Sequence, residues 1–290
     1  MEIEKIASGE FGVVWKARHR LDGMLYAIKM TKTPLRDNSR SEKTAMREIF
    51  AGAAMMKHKH VVRYYNSWVE DGTVFIQNEY CDGGSLQSVI ESHRETGQYF
   101  LEEELRQILL DICHGLHYVH SKHLAHLDVK PGNILMSRDD MGELTYKLAD
   151  FGHVVPLQAD DVEPEEGDCR YMAPELLALV IDRSRLTQAD IFSLGLTLFE
   201  AASLLHLPRN SLDDPQYENI KNGQLPYLSR YSQELNDMIS KMVQPHPDSR
   251  PSAEEIISFM IDPKIELYKE YVRTKQRLSC LEDQLKLPHD

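Results

Sequence analysis

Four side chains at fixed offsets carry the first chemical signal in the chain. Asp128, Lys130 and Asn133 share one short segment, His126-Leu127-Asp128-Val129-Lys130-Pro131-Gly132-Asn133, and Asp150 follows in Leu148-Ala149-Asp150-Phe151-Gly152. A carboxylate such as Asp128 can orient a hydroxyl and take its proton, while Lys130 can balance charge on a phosphoryl group in transfer. Asn133 and Asp150 offer hard oxygen ligands suited to magnesium, which bridges and neutralises phosphates. The chemistry implied is transfer of a phosphoryl group from ATP to a hydroxyl.

Two upstream signals fit that chemistry. Ala7-Ser8-Gly9-Glu10-Phe11-Gly12-Val13-Val14 lies between strand patterns, where small residues let backbone N–H groups approach phosphate oxygens. Alone, it reads equally well as a plain glycine hairpin. Tyr26-Ala27-Ile28-Lys29 then closes a strand, and Glu48 follows nineteen residues later inside a helical pattern. A lysine reaches α- and β-phosphates when a carboxylate holds its flexible ammonium, and Glu48 is the candidate for that carboxylate. Any single such pair could be surface charge. The ordered set, completed by Met172-Ala173-Pro174-Glu175, could not arise by chance.

The elements that must position these residues fall into two halves. Alternating patterns at 12–19, 25–30, 62–70 and 74–79 predict strands, the last two joined by the hairpin signal Asp71-Gly72. Only 42–56 reads as a helix there. After Asp82-Gly83-Gly84 the pattern turns helical, at 101–121, 187–205, 232–243 and 253–260. The expected fold is α+β, a small β-rich lobe (1–80) and a larger helical lobe (81–262) with a cleft between them. A tail, 263–290, carries Leu267, Tyr271, Leu278, Leu281 and Leu285 at the spacing of one amphipathic helix, expected to pack on the parent domain.

Composition excludes other classes. The formal charge of -13 repels nucleic acid. Four scattered cysteines form no zinc or redox pair and point to a reducing compartment. The most apolar stretch, 191–207, contains Glu200 and is short for a membrane span, so it reads as a buried helix. His114, His117, His120, His123 and His126 recur every third residue, but zinc ligands on a helix favour a four-residue offset, so a structural role is expected.

With these motifs in this order, the chain resembles the eukaryotic protein kinase family across roughly residues 1 to 262. The resemblance implies a two-lobed kinase fold that uses ATP and Mg2+. Ala7, Ser8, Gly9 and Gly12 would form the phosphate loop. Val14 and Ala27 would cover adenine, Glu79 and Cys81 would form the hinge, and Asn78 would be the gatekeeper. It also implies that Asp190 braces the catalytic loop and that Glu175 pairs with Arg250. Thr187-Gln188-Ala189-Asp190 reads alternatively as a helix capping box.

The chain departs from that family at two informative places. Ala7 replaces the usual first glycine of the loop, and Leu127 replaces the arginine that commonly holds a phosphorylated activation loop. Between Asp150 and Glu175 there is no Ser or Thr, only Tyr171. The expectation is a domain active without loop phosphorylation. Asp160, Asp161, Glu163, Glu165, Glu166 and Asp168 make that stretch acidic, either as a solvated loop or as a dock for basic substrate.

A narrower resemblance lies in Ile76-Gln77-Asn78-Glu79-Tyr80-Cys81-Asp82-Gly83-Gly84-Ser85-Leu86, Val61-Val62-Arg63-Tyr64-Tyr65, Trp68, Gly152-His153-Val154 and Glu165-Glu166-Gly167-Asp168-Cys169-Arg170. These are similar to the Wee family of mitotic inhibitor kinases. That family phosphorylates a tyrosine in the glycine-rich loop of cyclin-dependent kinases. It implies a non-receptor tyrosine kinase acting on a cyclin-dependent kinase with its cyclin, and a monomer is favoured. The pattern Asp128-x-Lys130-x-x-Asn133 is the serine/threonine form of the catalytic loop, a combination for which the Wee family is known. Some segments also resemble its membrane-associated branch. Without a membrane segment the soluble nuclear branch is preferred, with the cytoplasm as a second compartment. Because Wee kinases carry a long N-terminal region, the chain reads as the catalytic part of a longer protein. The rivals are a serine/threonine kinase resembling the stress kinases of initiation factors, and a pseudokinase scaffold.

Overall fold

The structure is a computed structural model that describes residues 2–9, 12–31, 40–138, 141–158, 167–178, 181–209 and 215–261. The tail at 263–290 and the acidic Asp160, Asp161, Glu163, Glu165 and Glu166 lie outside them.

The first lobe is a five-stranded antiparallel sheet with one helix. Its elements are β1 (Glu2–Ser8), β2 (Gly12–Arg18), β3 (Leu25–Thr31), α1 (Arg40–Ala54), β4 (Tyr64–Glu70) and β5 (Thr73–Glu79), in sheet order β1-β2-β3-β5-β4. Asp71 and Gly72 both take positive φ, the geometry a two-residue hairpin demands. Strand β4 begins two residues later than the pattern predicts. Val61 and Val62 pair instead with Leu148, and the Val62 N–H donates to its carbonyl at 2.9 Å, tying this lobe to the next. Helix α1 also ends early, because the Met56 N–H turns to the Tyr118 hydroxyl at 2.9 Å.

The second lobe contains α2 (Leu86–Thr96), α3 (Glu102–Ser121), β6 (Leu124–Ala125), β7 (Ile134–Arg138), β8 (Leu144–Leu148), β9 (Val155–Pro156), α4 (Leu186–Ser203), α5 (Pro215–Lys221), α6 (Gln233–Met242) and α7 (Ala253–Met260). The main core lies here, between α3, α4, α6 and α7. Helix α4 is buried all round, Glu200 included, as its apolar sequence requires. It ends at Leu204, in left-handed φ, where Arg94 takes the carbonyls of Leu204 (2.8 Å) and Leu205 (3.0 Å).

One local expectation fails. Thr187 does not cap α4: the helix starts at Leu186 with Arg185 as the capping residue, and the Thr187 hydroxyl bonds to Gln188. The run 182–185 already turns as a short 3-10 segment capped by Asp182, so Thr187 arrives one turn too late. No helix among the described residues is long and apolar enough to cross a membrane.

Helix α3 supplies a stability test. Leu109 is fully buried, and Leu109→Ala should cost about 2–5 kcal/mol, because the surrounding helices can close the cavity only in part. Denaturant unfolding followed by tryptophan fluorescence and circular dichroism measures that loss.

Candidate active site

The catalytic loop is shaped from below by one buried carboxylate. Asp190 on α4 accepts the His126 N–H at 2.8 Å and the Leu127 N–H at 2.7 Å, and His120 reaches the same carboxylate at 2.9 Å. Leu127 sits at φ 60°, a left-handed conformation that costs a branched apolar residue about 1–3 kcal/mol. Its side chain packs into the core where an arginine would have needed a partner. His126 accepts the Asp128 N–H at Nδ1 (3.3 Å) and donates from Nε2 to the Ala149 carbonyl at 3.1 Å. Burial keeps this imidazole neutral by lowering its pKa, which suits one accepting and one donating nitrogen. The loop bearing Asp128 and the loop bearing Asp150 are thereby joined.

On this support the candidate residues converge. The Lys130 ammonium donates to both Asp128 oxygens, at 2.9 and 2.7 Å, and the Asn133 amide donates to Asp128 Oδ2 at 2.7 Å and to its carbonyl at 2.9 Å. With the amide nitrogen so engaged, the Asn133 oxygen is the atom left for a metal. Asp128 is 6% exposed, shielded from bulk water, and its carboxylate is anchored rather than free to rotate.

From the other lobe, the Lys29 ammonium on β3 bridges two carboxylates, Glu48 on α1 at 2.7 Å and Asp150 at 2.8 Å. Burial disfavours the lysine's charge, but Asp150 and Glu48 outweigh it and hold Lys29 protonated. Asp150 likewise resists burial through the Lys29 charge, so its carboxyl lies well below the usual range. Glu48 is pushed up by burial, against the pull of Lys29. The Asn78 side chain on β5 also favours its charged form. Asp150 takes φ 63°, and Phe151 turns inward, its ring edge-on to His126 at 5.0 Å.

The donor set fits magnesium: one ionised carboxylate and one amide oxygen, both hard ligands. Asn133 and Asp150 would hold it, and when bound it would neutralise charge on the phosphates.

Ala7, Ser8, Val14, Ala27 and the hinge line up along the sheet. Ala7 pairs with Val14, Ser8 with Val13, Val14 with Lys29, and Ala27 with Asn78. The Gly9 N–H closes the loop onto the Gly12 carbonyl at 3.0 Å. Gly12 has a further reason to be glycine, since a Cβ there would stand 2.6 Å from the Met30 carbonyl oxygen. Glu79 is fixed by Lys147 at 3.0 Å and by the Arg63 N–H at 3.1 Å. Cys81 is buried, and that burial pushes its thiol up to about 12.

The described stretch 167–178 of the activation segment is held by two buried contacts. Arg250, with no exposed side-chain surface, grips Glu175 through two bonds of 2.6 and 2.9 Å. Tyr171 is 2% exposed and its hydroxyl donates to the buried Glu200, which Arg94 also holds at 2.7 Å. Three histidines of the series have structural partners: His120 and His126 act as above, and His114 stacks on His60. Among the described residues no group of three or more His, Cys, Asp or Glu side chains is placed to hold a metal.

The family model for the protein kinase domain matches residues 1–260. The chain belongs to the protein kinase domain family. The kinase is 43% identical to Wee1-like protein kinase 1-B of Xenopus laevis over 276 residues, which cover 90% of this chain and 45% of that protein. It is 41% identical to the Wee1-like protein kinase of Drosophila melanogaster, covering 90% of this chain and 46% of that one. To Wee1-like protein kinase 2-A of Xenopus laevis it is 40% identical, covering 99% and 54%. The kinase spans about half the length of these curated relatives.

Sequence reasoning missed α2, although Ser85 caps it and Leu86, Val89 and Ile90 have helical spacing. It also missed the Arg94–Glu200–Tyr171 chain, since long-range polar contacts leave no local pattern. Asp128→Asn should preserve ATP binding and lower kcat by about two to four orders of magnitude, because the amide keeps the Lys130 and Asn133 neighbourhood but cannot take a proton. Nucleotide titration beside steady-state turnover separates the two effects.

Proposed function

We propose that this kinase transfers the γ-phosphate of ATP to a tyrosine of a cyclin-dependent kinase bound to its cyclin, and so restrains entry into mitosis. The observation that carries the transfer is the closed set Glu48–Lys29–Asp150 facing Asp128–Lys130–Asn133, assembled without any other molecule. The tyrosine and the partner rest on the similarity to Wee1-like protein kinases. ATP and magnesium are the cosubstrate and metal this donor set suits, and the nucleus, where cyclin-dependent kinases are met, is the compartment that follows from the reading.

A scaffold without catalysis would not need each of these groups held in charged hydrogen bonds. The serine/threonine alternative differs only in the acceptor. Incubation with magnesium, ATP and a catalytically dead cyclin-dependent kinase with its cyclin, followed by mass spectrometry, decides between them. Phosphotyrosine in the partner's glycine-rich loop supports the proposal; phosphoserine or phosphothreonine alone, or no phosphate on any acceptor, ends it.

Activity without loop phosphorylation is part of the same reading. Tyr171 is the one hydroxyl-bearing residue between Asp150 and Glu175, and its oxygen is buried against Glu200. Phosphatase treatment of the purified protein should leave kcat within twofold of the untreated sample; a loss of activity would assign an essential phosphate to it.

A further inference from the structure

Beyond the catalytic set, one buried charge has no part in the chemistry described so far. Lys221, the last residue of α5, is 7% exposed. Its ammonium donates to three main-chain carbonyls of the activation segment: Cys169 at 3.0 Å, Arg170 at 3.1 Å and Met172 at 2.5 Å. The charge lies 4.9 Å from the centre of the Tyr217 ring and 5.5 Å from that of Phe192. The Tyr217 hydroxyl adds a bond to the Cys169 carbonyl at 3.4 Å. All three lysine protons are therefore spent on one five-residue turn.

That turn borders the reaction centre. It is closed by the Tyr171 and Met172 N–H groups on the Asp168 carbonyl, and by Arg170 forked onto the Asp168 carboxylate at 2.9 and 2.6 Å. At its start, a Cβ placed on Gly167 would come within 3.2 Å of the Leu127 carbonyl and 3.4 Å of Asp128 Oδ1. A peptide that delivers a hydroxyl to Asp128 must run past this wall. Burying an ammonium is costly, and burial pushes the Lys221 pKa down to about 8. For packing alone an apolar side chain would serve, but it would leave the Arg170 and Met172 carbonyls without donors and Cys169 with only the long Tyr217 bond.

We infer that Lys221 is a positioning residue for the protein substrate: it holds the main chain at 169–172 as a fixed shelf beside Asp128, against which the peptide flanking the acceptor hydroxyl lies. The inference rests on the proposed transfer to a protein, not on which protein accepts. Arginine can supply the same donors, whereas methionine fills the space without them.

The test compares wild type, K221M, K221Q and K221R in three assays: phosphorylation of the dead cyclin-dependent kinase complex, phosphorylation of casein as a generic acceptor, and slow hydrolysis of ATP by water. For K221M and K221Q the expected result is a protein-substrate KM raised about tenfold. The ATP KM and the rate of ATP hydrolysis should stay within twofold, and K221R should restore the protein KM to within threefold of wild type. An unchanged protein KM in K221M and K221Q overturns the inference. So does a loss shared equally by ATP hydrolysis, or unfolding of both variants, since either assigns Lys221 to the fold alone. Wild-type activity on casein but not on the cyclin-dependent kinase would sink the substrate proposal and leave the Lys221 comparison readable on casein. Wild type inactive on both would overturn the two together.

Discussion

A single carboxylate with no exposed surface, Asp190, sets the geometry on which everything above it depends. Two main-chain N–H groups converge on it from residues 126 and 127, and hydrogen bonds to a charged group contribute about 1.5–3 kcal/mol each. That gain offsets the left-handed backbone at Leu127, which no local preference of leucine would produce. Relaxing Leu127 would swing Asp128 away from Lys130 and Asn133. The support for the catalytic loop is thus placed in α4, an element buried all round and unable to shift without disturbing the whole second lobe.

The two lobes meet through charge as well as through apolar packing, in which Ala51 and Val61 join the main core. Lys29 belongs to the sheet, Glu48 to α1 and Asp150 to the second lobe, and their contacts lie below 3 Å. Glu48 is buried and Asp150 is partly exposed at the cleft, so removing the lysine would leave two carboxylates without the cation between them. The same lysine that would meet phosphates therefore also holds α1 against the cleft. Leu148 adds a neutral tie, pairing with Val61 and exchanging main-chain bonds with Val62 and His60.

Much of this was legible in the sequence because its signals are local. The alternating strands, the Asp71-Gly72 turn and the periodic helices at 102–121 and 253–260 need only neighbours to declare themselves. The motif residues converge in space around Lys29 and Asp128. What escaped depends on partners far along the chain. Arg94 meets Glu200 across 106 residues, and Lys221 meets Met172 across 49. The false capping box at Thr187 shows the reverse error, a correct local pattern displaced by an earlier turn that had already begun the helix.

The Asn78 side chain has a consequence for small molecules. A polar amide stands there, near enough to Glu48 to favour its charged form. Behind it lies a narrow cavity lined by Glu48, Gly52, Met55, Arg63, Tyr64 and Phe151. A compound entering there meets the buried Glu48 carboxylate and must not strip it of polar partners. Occupancy of that cavity therefore calls for polar pairing as well as a matching shape.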